Sequence, residues 1–267
     1  MAEPDAPTSP EEAPLLNHTI TLRELIDLFG TILEARDPYT MEHSFRVAEY
    51  AGIIARVMGL PPIQVERTIM AAHFHDVGKI GVPDIVLNKT GPLTRAEKQA
   101  MQSHSRLGFN ILKRIPALEE VSRIVLHHHE RYDGMGYPEG WAGEAIPIES
   151  RIIAVSDAFD AMTTHRHYRC AVTVAEAREE IRHHSGSQFC PDVVRHFQRC
   201  ATSMPAFQNT RRNGSLPHFA FVGHEDLMHS RMVAGNGESL NFDPHRNGFL
   251  SRPPDCEGGS CDGERRP

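Results

Sequence analysis

Long apolar runs are missing from this 267-residue sequence. The longest fall far short of the roughly 18 residues that a membrane-spanning helix needs. The first residues, MAEPDAPTSPEEAP, have neither the basic start nor the apolar centre of a signal peptide. We therefore expect a soluble, cytoplasmic protein that has no membrane partner.

Cysteine is sparse, and positive charge is outweighed by negative charge. The five cysteines are odd in number and widely spaced, which does not suit a disulfide framework and indicates a reducing compartment. The formal net charge of −7 argues against a general binding surface for a nucleic-acid polymer, although it leaves room for a local basic pocket.

The chain does have enough apolar residues, 40% of the total, to bury a core. Its composition places that core between two tails. Residues 1–18 are rich in Pro, Ala and Glu, and residues 204–267 are rich in Gly, Pro, Asn and Arg. Such segments cannot bury enough apolar surface to offset the entropy of ordering, so we expect both tails to be disordered or poorly ordered. One folded domain, residues 19–203, is predicted between them.

Helical signals recur along the predicted domain. Three capping boxes, in which a Thr is followed three residues later by a Glu, begin at Thr21, Thr94 and Thr173. Apolar residues repeat with helical spacing in TLRELIDLFGTIL and in residues 41–58, and a pair of prolines suits the first turn of a helix over residues 61–76. No convincing run of alternating strand residues occurs. The sequence therefore predicts an all-α helical bundle.

Histidine is abundant, with seventeen in the chain. The segment AAHFHDVGKIGVPD sets His75 directly beside Asp76 in an apolar run, and HHHERYDGMGYP joins three histidines to a glycine-rich turn. A helical bundle can bring such side chains together into a carboxylate-bridged metal site, and imidazole and carboxylate without thiolate suit iron, manganese, zinc or a similar ion. The candidate ligands lie in or at the ends of predicted helices: His43, His75, Asp76, His104, His128, His129 and Asp157.

This set of residues suits phosphoester chemistry. If Asp76 bridges two ions roughly 3.5 to 4 Å apart, the ions form a clamp for in-line attack at phosphorus. Lys79 follows three residues later, on the same helical face if the helix continues, although Gly78 can end it. The Lys79 ammonium could neutralise phosphate charge.

Simpler interpretations stay open for individual residues. A lone helical histidine is usually a core or surface residue, and three in a row can end a helix through favourable dipole interactions. We interpret His73 as a packing or second-layer residue, and His183 and His184 as surface residues. Asp157 and Asp160 fall among small apolar residues and need partners, since an unpaired buried carboxylate is costly.

Several segments, in order along the chain, resemble one family. They are ARDPYTMEHSFRV, HDVGKIGVPD, LNKTGPLTRAE, HSRLGFNIL, HHHERYDGMGYP, RIIAVSDAFDAMTTHRHYR and GSQFCPDVV. Over about residues 20–200 the chain resembles the HD-GYP family, a bacterial branch of the HD metal-dependent phosphohydrolases. Members hydrolyse the second messenger cyclic di-GMP to linear pGpG or on to GMP. The resemblance implies this activity here, through attack by a metal-activated hydroxide, and a role in signal transduction.

The resemblance also implies a role for each matching residue. The seven candidate ligands would hold two divalent ions, iron or manganese, with Asp76 as the bridge, and Lys79 would lie beside the scissile phosphate. Tyr137 of the GYP signature would line the substrate pocket. Arg166 and Arg169 would hold the dinucleotide, because forked guanidinium donors suit phosphate and guanine edges.

The chain departs from the family pattern at several positions. Some members hold a third metal through a glutamate four residues before the first histidine ligand, but Tyr39 stands there, so we expect a binuclear site. His167 replaces the usual proline of RPYR, and Cys190 replaces the usual aspartate of QFDP; neither change removes a ligand. Only a short stretch precedes the predicted helices, where members commonly carry a receiver or sensor domain, so we expect regulation by a partner, metal, redox state or expression.

Two other functions stay open. The chain could be an HD-type hydrolase of another nucleotide, although the GYP loop and the paired arginines argue against this. It could also be a non-catalytic or dual-role module that binds cyclic di-GMP, or that contacts a diguanylate cyclase or an adaptor protein through the GYP loop. The complete ligand set favours catalysis.

Overall fold

The structure, a computed structural model, describes residues 21–36, 40–165 and 171–204. Within these ranges the chain is helical and forms no strand, which confirms the predicted all-α class. Short 3₁₀ helices occur at Val77–Gly81, Pro116–Leu118, Gly143–Ala145 and Ala201–Ser203. The α-helices are α1 (Leu22–Glu34), α2 (Thr40–Val57), α3 (Pro62–Phe74), α4 (Asp84–Leu87), α5 (Arg95–Leu112), α6 (Glu119–Leu126), α7 (Ile148–Thr163), α8 (Val174–His183) and α9 (Pro191–Cys200).

The predicted helix starts are confirmed. Thr21, Thr94 and Thr173 are the N-caps of α1, α5 and α8, and each forms both hydrogen bonds of a capping box with the Glu three residues later. A proline stands in the first turn of α3, where its missing N–H costs no intrahelical hydrogen bond.

The core forms where α2 packs against α3 and α7. Aromatic rings link three helices through it: the Tyr50 ring of α2 lies 5.1 Å from the Phe159 ring of α7, which lies 5.2 Å from the Phe197 ring of α9. All three side chains are buried. The packing fixes the relative positions of the helix ends that carry the histidines.

Helix α3 ends earlier than the sequence predicts. It stops at Phe74, His75 is its C-cap, and a 3₁₀ helix begins after Asp76. Gly78 makes this turn possible, because a Cβ there would lie 1.8 Å from the His104 carbonyl oxygen in α5. The turn therefore packs directly against the α5 backbone and holds Asp76 beside His104.

The ends of the described chain bear on the predicted tails. Met204 is buried in the core, so the folded body reaches one residue beyond the predicted boundary at 203. The rest of both predicted tails lies outside the described residues. Within the described ranges, no helix is both long enough and apolar enough to cross a membrane.

Candidate metal centre

Side chains from three helices form a first cluster. His43 lies in the first turns of α2, His75 caps α3, and Asp157 lies in the middle of α7. Their ligating atoms all fall within 4.8 Å of one another. His43 Nε2 lies 3.2 Å from Asp157 Oδ1, and His75 Nε2 is buried without a hydrogen-bond partner among the described residues. Two imidazoles and one carboxylate are a donor set that suits a divalent ion.

Three histidines form a second cluster. His104 comes from the middle of α5, whereas His128 and His129 stand in the turn that follows α6. Their ligating atoms also lie within 4.8 Å of one another, with 3.3 Å between His104 Nε2 and His128 Nε2. The lone pairs of two unprotonated imidazole nitrogens at this distance repel each other, so the cluster favours a shared cation.

Asp76 lies between the clusters and faces both. Its Oδ2 atom is 3.3 Å from His75 Nε2 and 3.9 Å from His43 Nε2 in the first cluster. Its Oδ1 atom is 3.6 Å from His104 Nε2 in the second. One carboxylate oxygen thus points to each cluster, as a bridge between two ions requires.

Backbone carbonyls orient three of the histidine rings. Nδ1 of His75, His104 and His128 lies 2.7, 2.7 and 2.6 Å from the carbonyl oxygen three residues earlier. A carbonyl only accepts, so each Nδ1 carries the proton and donates it. The Nε2 lone pairs of these rings are then left to face the centre, which is the arrangement that metal-binding histidines usually have.

His43 is oriented by charged residues that the sequence did not assign to the site. Its Nδ1 lies 2.7 Å from Oδ2 of the buried Asp160, and Arg46 Nε donates to Asp160 Oδ1 at 2.6 Å. The partners that Asp160 needs are therefore His43 and Arg46. Helical spacing could have indicated both residues. Arg46 is three residues after His43, and Asp160 is three residues after Asp157, so each lies on the same helix face as a candidate ligand.

The protonation states suit metal binding. Burial lowers the pKa of His104, lowers that of His128 well below its ordinary value, and lowers that of His129 to about 3, so these imidazoles are neutral near pH 7. Burial would raise the pKa of Asp76, but the nearby Lys79 and His75 outweigh it and keep the carboxylate ionised. Neutral imidazole and ionised carboxylate are the forms that bind a cation.

His43 differs, and its difference follows from two carboxylates. Burial lowers the pKa of its imidazole, but hydrogen bonds to Asp157 and Asp160 outweigh burial and raise the pKa to about 9. Without a metal, this ring is therefore a cation between two anions. A metal ion would displace its proton.

Lys79 and Tyr137 lie beside the two clusters, and their roles toward a substrate stay predictions. Lys79 Nζ is 2.7 Å from Asp76 Oδ2. The Tyr137 ring lies 4.9 Å from the His129 ring and 6.4 Å from the His104 ring, and the Tyr137–Pro138 peptide bond is cis. The two predicted substrate-binding arginines, Arg166 and Arg169, lie outside the described residues, as do Tyr39 and His167.

The GYP loop is anchored from its own stem. The buried Glu130 accepts hydrogen bonds from the backbone N–H groups of Glu139 and Gly140, at 2.8 and 3.2 Å. At Gly136 an added Cβ would lie 2.3 Å from the backbone nitrogen of Arg131, so only glycine lets the loop backbone pass this close to its stem. These contacts fix the path of the loop that carries Tyr137.

The segment Ser185–Phe189 supports the same loop from outside. The N–H groups of Tyr132 and Asp133 donate to the carbonyl oxygens of Gln188 and Ser187, at 3.2 and 2.8 Å. This contact gives the GSQFCP motif a structural role at the stem of the GYP loop.

The described histidines outside the two clusters have other neighbours. The His127 ring stacks on the Trp141 ring at 4.0 Å, and the His73 ring meets the Phe45 ring edge-on at 4.8 Å. His183 is exposed, as predicted. His184 is half-buried, and its Nε2 lies 3.2 Å from the buried Glu180, so the surface assignment is wrong for this residue.

A helical bundle that joins two histidine-rich clusters through one aspartate is typical of metal-dependent hydrolases. A family model described as HD domain matches residues 27–193, well over half of the chain. The chain therefore belongs to the HD domain family. Its motifs, which follow one another in the family's order along the sequence, make it a member of the HD-GYP branch.

Two curated relatives and one solved structure are similar to this chain. The "Cyclic di-GMP phosphodiesterase" of Thermotoga maritima is 38% identical over 210 residues, covering 76% of this chain and 57% of that protein. The "3'3'-cGAMP-specific phosphodiesterase 3" of Vibrio cholerae serotype O1 is 38% identical over 168 residues, covering 63% of this chain and 36% of that protein. The chain thus spans little more than half, or less, of these relatives.

The structural neighbour shares the fold. It is a cyclic GMP-AMP specific phosphodiesterase from V. cholerae, with a TM-score of 0.52 and 22% sequence identity. The match covers 68% of this chain and 49% of the other. It bears out the all-helical HD architecture.

Proposed function

We propose that the chain is a metal-dependent phosphodiesterase that hydrolyses cyclic di-GMP to linear pGpG or GMP. The observation that supports it most strongly is that the two oxygens of Asp76 face separate clusters, one of two histidines and an aspartate and the other of three histidines. Two divalent ions held in this way would supply an activated water and would stabilise negative charge on the phosphoryl oxygens.

The residues fit such ions. The donors are nitrogen and oxygen atoms, Nε2 of His75 is buried without a hydrogen-bond partner among the described residues, and three rings present Nε2 through fixed Nδ1 donors. We propose His43, His75 and Asp157 as ligands at one position, and His104, His128 and His129 at the other, with Asp76 shared. Iron and manganese suit this ligand chemistry, and we propose them as the resident ions.

Other residues of the chain would hold and polarise the diester. Lys79, next to Asp76, would neutralise charge on the scissile phosphate. Tyr137 would form one wall of the pocket, since its ring lies against His129 at the edge of the second cluster. Arg166 and Arg169 are proposed to bind the dinucleotide, and the basis for this role is the sequence motif.

The choice of cyclic di-GMP over other cyclic dinucleotides is part of the proposal. The Thermotoga relative, whose name specifies cyclic di-GMP, matches 76% of this chain, whereas the Vibrio relative named for 3'3'-cGAMP matches 63%. An HD-type hydrolase of another cyclic dinucleotide is the second candidate. Cyclic di-GMP and 3'3'-cGAMP differ in one purine base, so discrimination between them would depend on the pocket rim and not on the metal centre.

A role in protein contacts is compatible with catalysis. Met135 and Trp141, on and beside the GYP loop, leave 68% and 42% of their surface exposed, and neighbouring exposed apolar side chains can mark an interaction site. This exposure supports the proposal that a diguanylate cyclase or adaptor protein binds there.

The location is also part of the proposal. The buried, free thiols of Cys190 and Cys200 support a cytoplasmic location.

A substrate panel tests the proposal. Protein is purified anaerobically, its metals are counted, and kcat/KM is measured for cyclic di-GMP, 3'3'-cGAMP and a simple aryl phosphodiester, with the products separated by chromatography. We expect the highest value for cyclic di-GMP and its loss on chelation. Faster turnover of 3'3'-cGAMP would reassign the substrate, and two bound metals without turnover would favour the binding module.

A further inference from the structure

Arg36 joins the end of α1 to the turn that carries Lys79. It lies just beyond α1, yet its guanidinium reaches carbonyl groups 43 to 46 residues away in sequence. Nη1 donates to the carbonyl oxygen of Ile80 and, at 3.4 Å, to that of Lys79, and Nη2 donates to the carbonyl oxygen of Val82 at 2.7 Å. One side chain thus contacts three backbone acceptors of a single turn.

A carboxylate completes this contact. Asp84 Oδ1, at the start of α4, lies 3.1 Å from Arg36 Nε and 2.5 Å from Nη2. The Lys79 carbonyl oxygen also accepts from the Val82 N–H at 3.0 Å. The last carbonyl groups of a helix generally need donors from elsewhere. A guanidinium has five donors in a fixed plane and can satisfy several such acceptors at once, whereas a lysine ammonium is a single point.

The turn is therefore held from two sides. On one side Gly78 brings its backbone against α5, and on the other Arg36 donates to the carbonyl oxygens of Lys79 and Ile80. Between these contacts, Lys79 Nζ lies 2.7 Å from Asp76 Oδ2. A shift of the turn would move the ammonium relative to the metal centre.

We propose that Arg36 is a positioning residue that fixes Lys79 beside the scissile phosphate. The proposal rests on the proposed function, because it assumes that Lys79 acts on a phosphodiester. Arg36 itself is no metal ligand and contacts no substrate; its effect on hydrolysis passes through the turn.

A double-mutant cycle tests the coupling. Arg36→Ala, Arg36→Lys and Lys79→Ala are compared alone, and Arg36→Ala is also made in the Lys79→Ala background. Because a displacement of about 1 Å can cost about 100-fold in rate, we expect Arg36→Ala to lower kcat by about 10- to 100-fold, with metal content and KM little changed. Arg36→Lys should recover only part of the loss, and the exposed Arg199→Ala is the matched control.

The second arm of the cycle decides the mechanism. If Arg36 acts through Lys79, its removal should cost almost nothing once Lys79 is absent. An Arg36→Ala variant with the wild-type kcat would overturn the proposal, and so would a loss that is equally large in both backgrounds.

Hydrogen exchange separates this proposal from the proposed function. Backbone amides of residues 77–84 should exchange faster in Arg36→Ala than in the wild type or in Arg199→Ala. Unchanged exchange would overturn the positioning role whatever the turnover. A wild-type chain that hydrolyses no cyclic dinucleotide would overturn the proposed function, while the exchange rates would still show whether Arg36 holds the turn.

Discussion

Two aspartates three residues apart in α7 have different environments. Asp157 faces His43 Nε2 and the centre, whereas Asp160 binds His43 Nδ1 and Arg46 on the far side of the same ring. The His43 imidazole thus has a carboxylate partner at each of its two nitrogens. The outer carboxylate sets the ring orientation, which leaves the inner one available as a proposed ligand.

Cys190 occupies a helix N-cap position, for which a thiol is a poor hydrogen-bond acceptor. It is the N-cap of α9 but makes no capping hydrogen bond, and Arg151 Nη1 donates to its sulfur at 3.3 Å. Arg151 Nε has no hydrogen-bond partner among the described residues. An aspartate would cap the helix and would pair with this guanidinium.

Cys190→Asp should therefore stabilise the fold. Good N-caps contribute about 0.5–2 kcal/mol over poor ones, and the ion pair adds to this. Urea unfolding of the variant should give a higher midpoint than the wild type. Cys200→Asp is the control, because Cys200 is buried at the C-terminal end of α9, where an aspartate caps nothing; this variant should be less stable than the wild type. A Cys190→Asp protein no more stable than the wild type would show that the capping argument is wrong.

At the scale of elements, the short turns that follow α3 and α6 are decisive. The histidine and aspartate of the HD motif sit where α3 ends and a 3₁₀ helix begins, and His128 and His129 sit where α6 ends. A continuous helix would spread neighbouring side chains by about 100° each, since it has 3.6 residues per turn. Ending the helix lets adjacent residues face one centre.

Gly78→Ala tests the importance of the first turn. Its Cβ would lie 1.8 Å from the His104 carbonyl oxygen and 2.5 Å from the Gly108 nitrogen, and both are backbone atoms that cannot rotate away. We expect destabilisation by about 1–3 kcal/mol or more, together with loss of bound metal. Gly91→Ala is the matched control, because nothing lies within 4 Å of a Cβ there. Thermal unfolding that is the same in both variants would show that the turn can move.

Some of this architecture was predictable from the sequence and some was not. The capping boxes are local, so Thr21, Thr94 and Thr173 identify helix starts from neighbours three residues away. Gly78 indicates from the sequence alone that the helix can end near it, but the end at Phe74 depends on contact between Gly78 and α5, which no local pattern encodes. The Arg36 contact joins residues more than 40 apart, and neither helix periodicity nor charge pattern indicates it.

At the candidate metal centre, the sequence identified which residues come together better than it identified the role of each. The motifs nominated seven ligands, and the structure brings all seven together; their roles as ligands stay a prediction. Asp160 and Arg46 were missed as a pair because their contact crosses from α2 to α7. Only the three-dimensional packing shows which carboxylate faces the imidazole from outside.

Across the whole molecule, α9 and Met204 are the last parts of the helical bundle among the residues that the structure describes. Phe197 of α9 is fully buried against Phe159, and Met204 is buried in the same core. We propose residues 19–204 as the catalytic domain. The composition of residues 205–267, rich in Gly, Pro, Asn and Arg, supports leaving them out of it.

Truncation tests this boundary. Removing residues 205–267 should leave kcat, KM and the unfolding midpoint unchanged within error. Removing residues 191–267, which deletes α9 and opens the core at Phe159, should abolish cooperative unfolding. A collapse of folding or rate in the shorter truncation would show that the C-terminal segment belongs to the functional unit.

We propose that Asp76 joins two ions into one catalytic centre. The most direct test counts the metals per chain and measures cyclic di-GMP hydrolysis in Asp76→Ala beside Asp192→Ala, which removes an aspartate in the first turn of α9. Circular dichroism checks that both variants are folded. We predict that Asp76→Ala loses bound metal and turnover together while Asp192→Ala keeps both. An Asp76→Ala protein with full metal content and wild-type turnover would contradict the account.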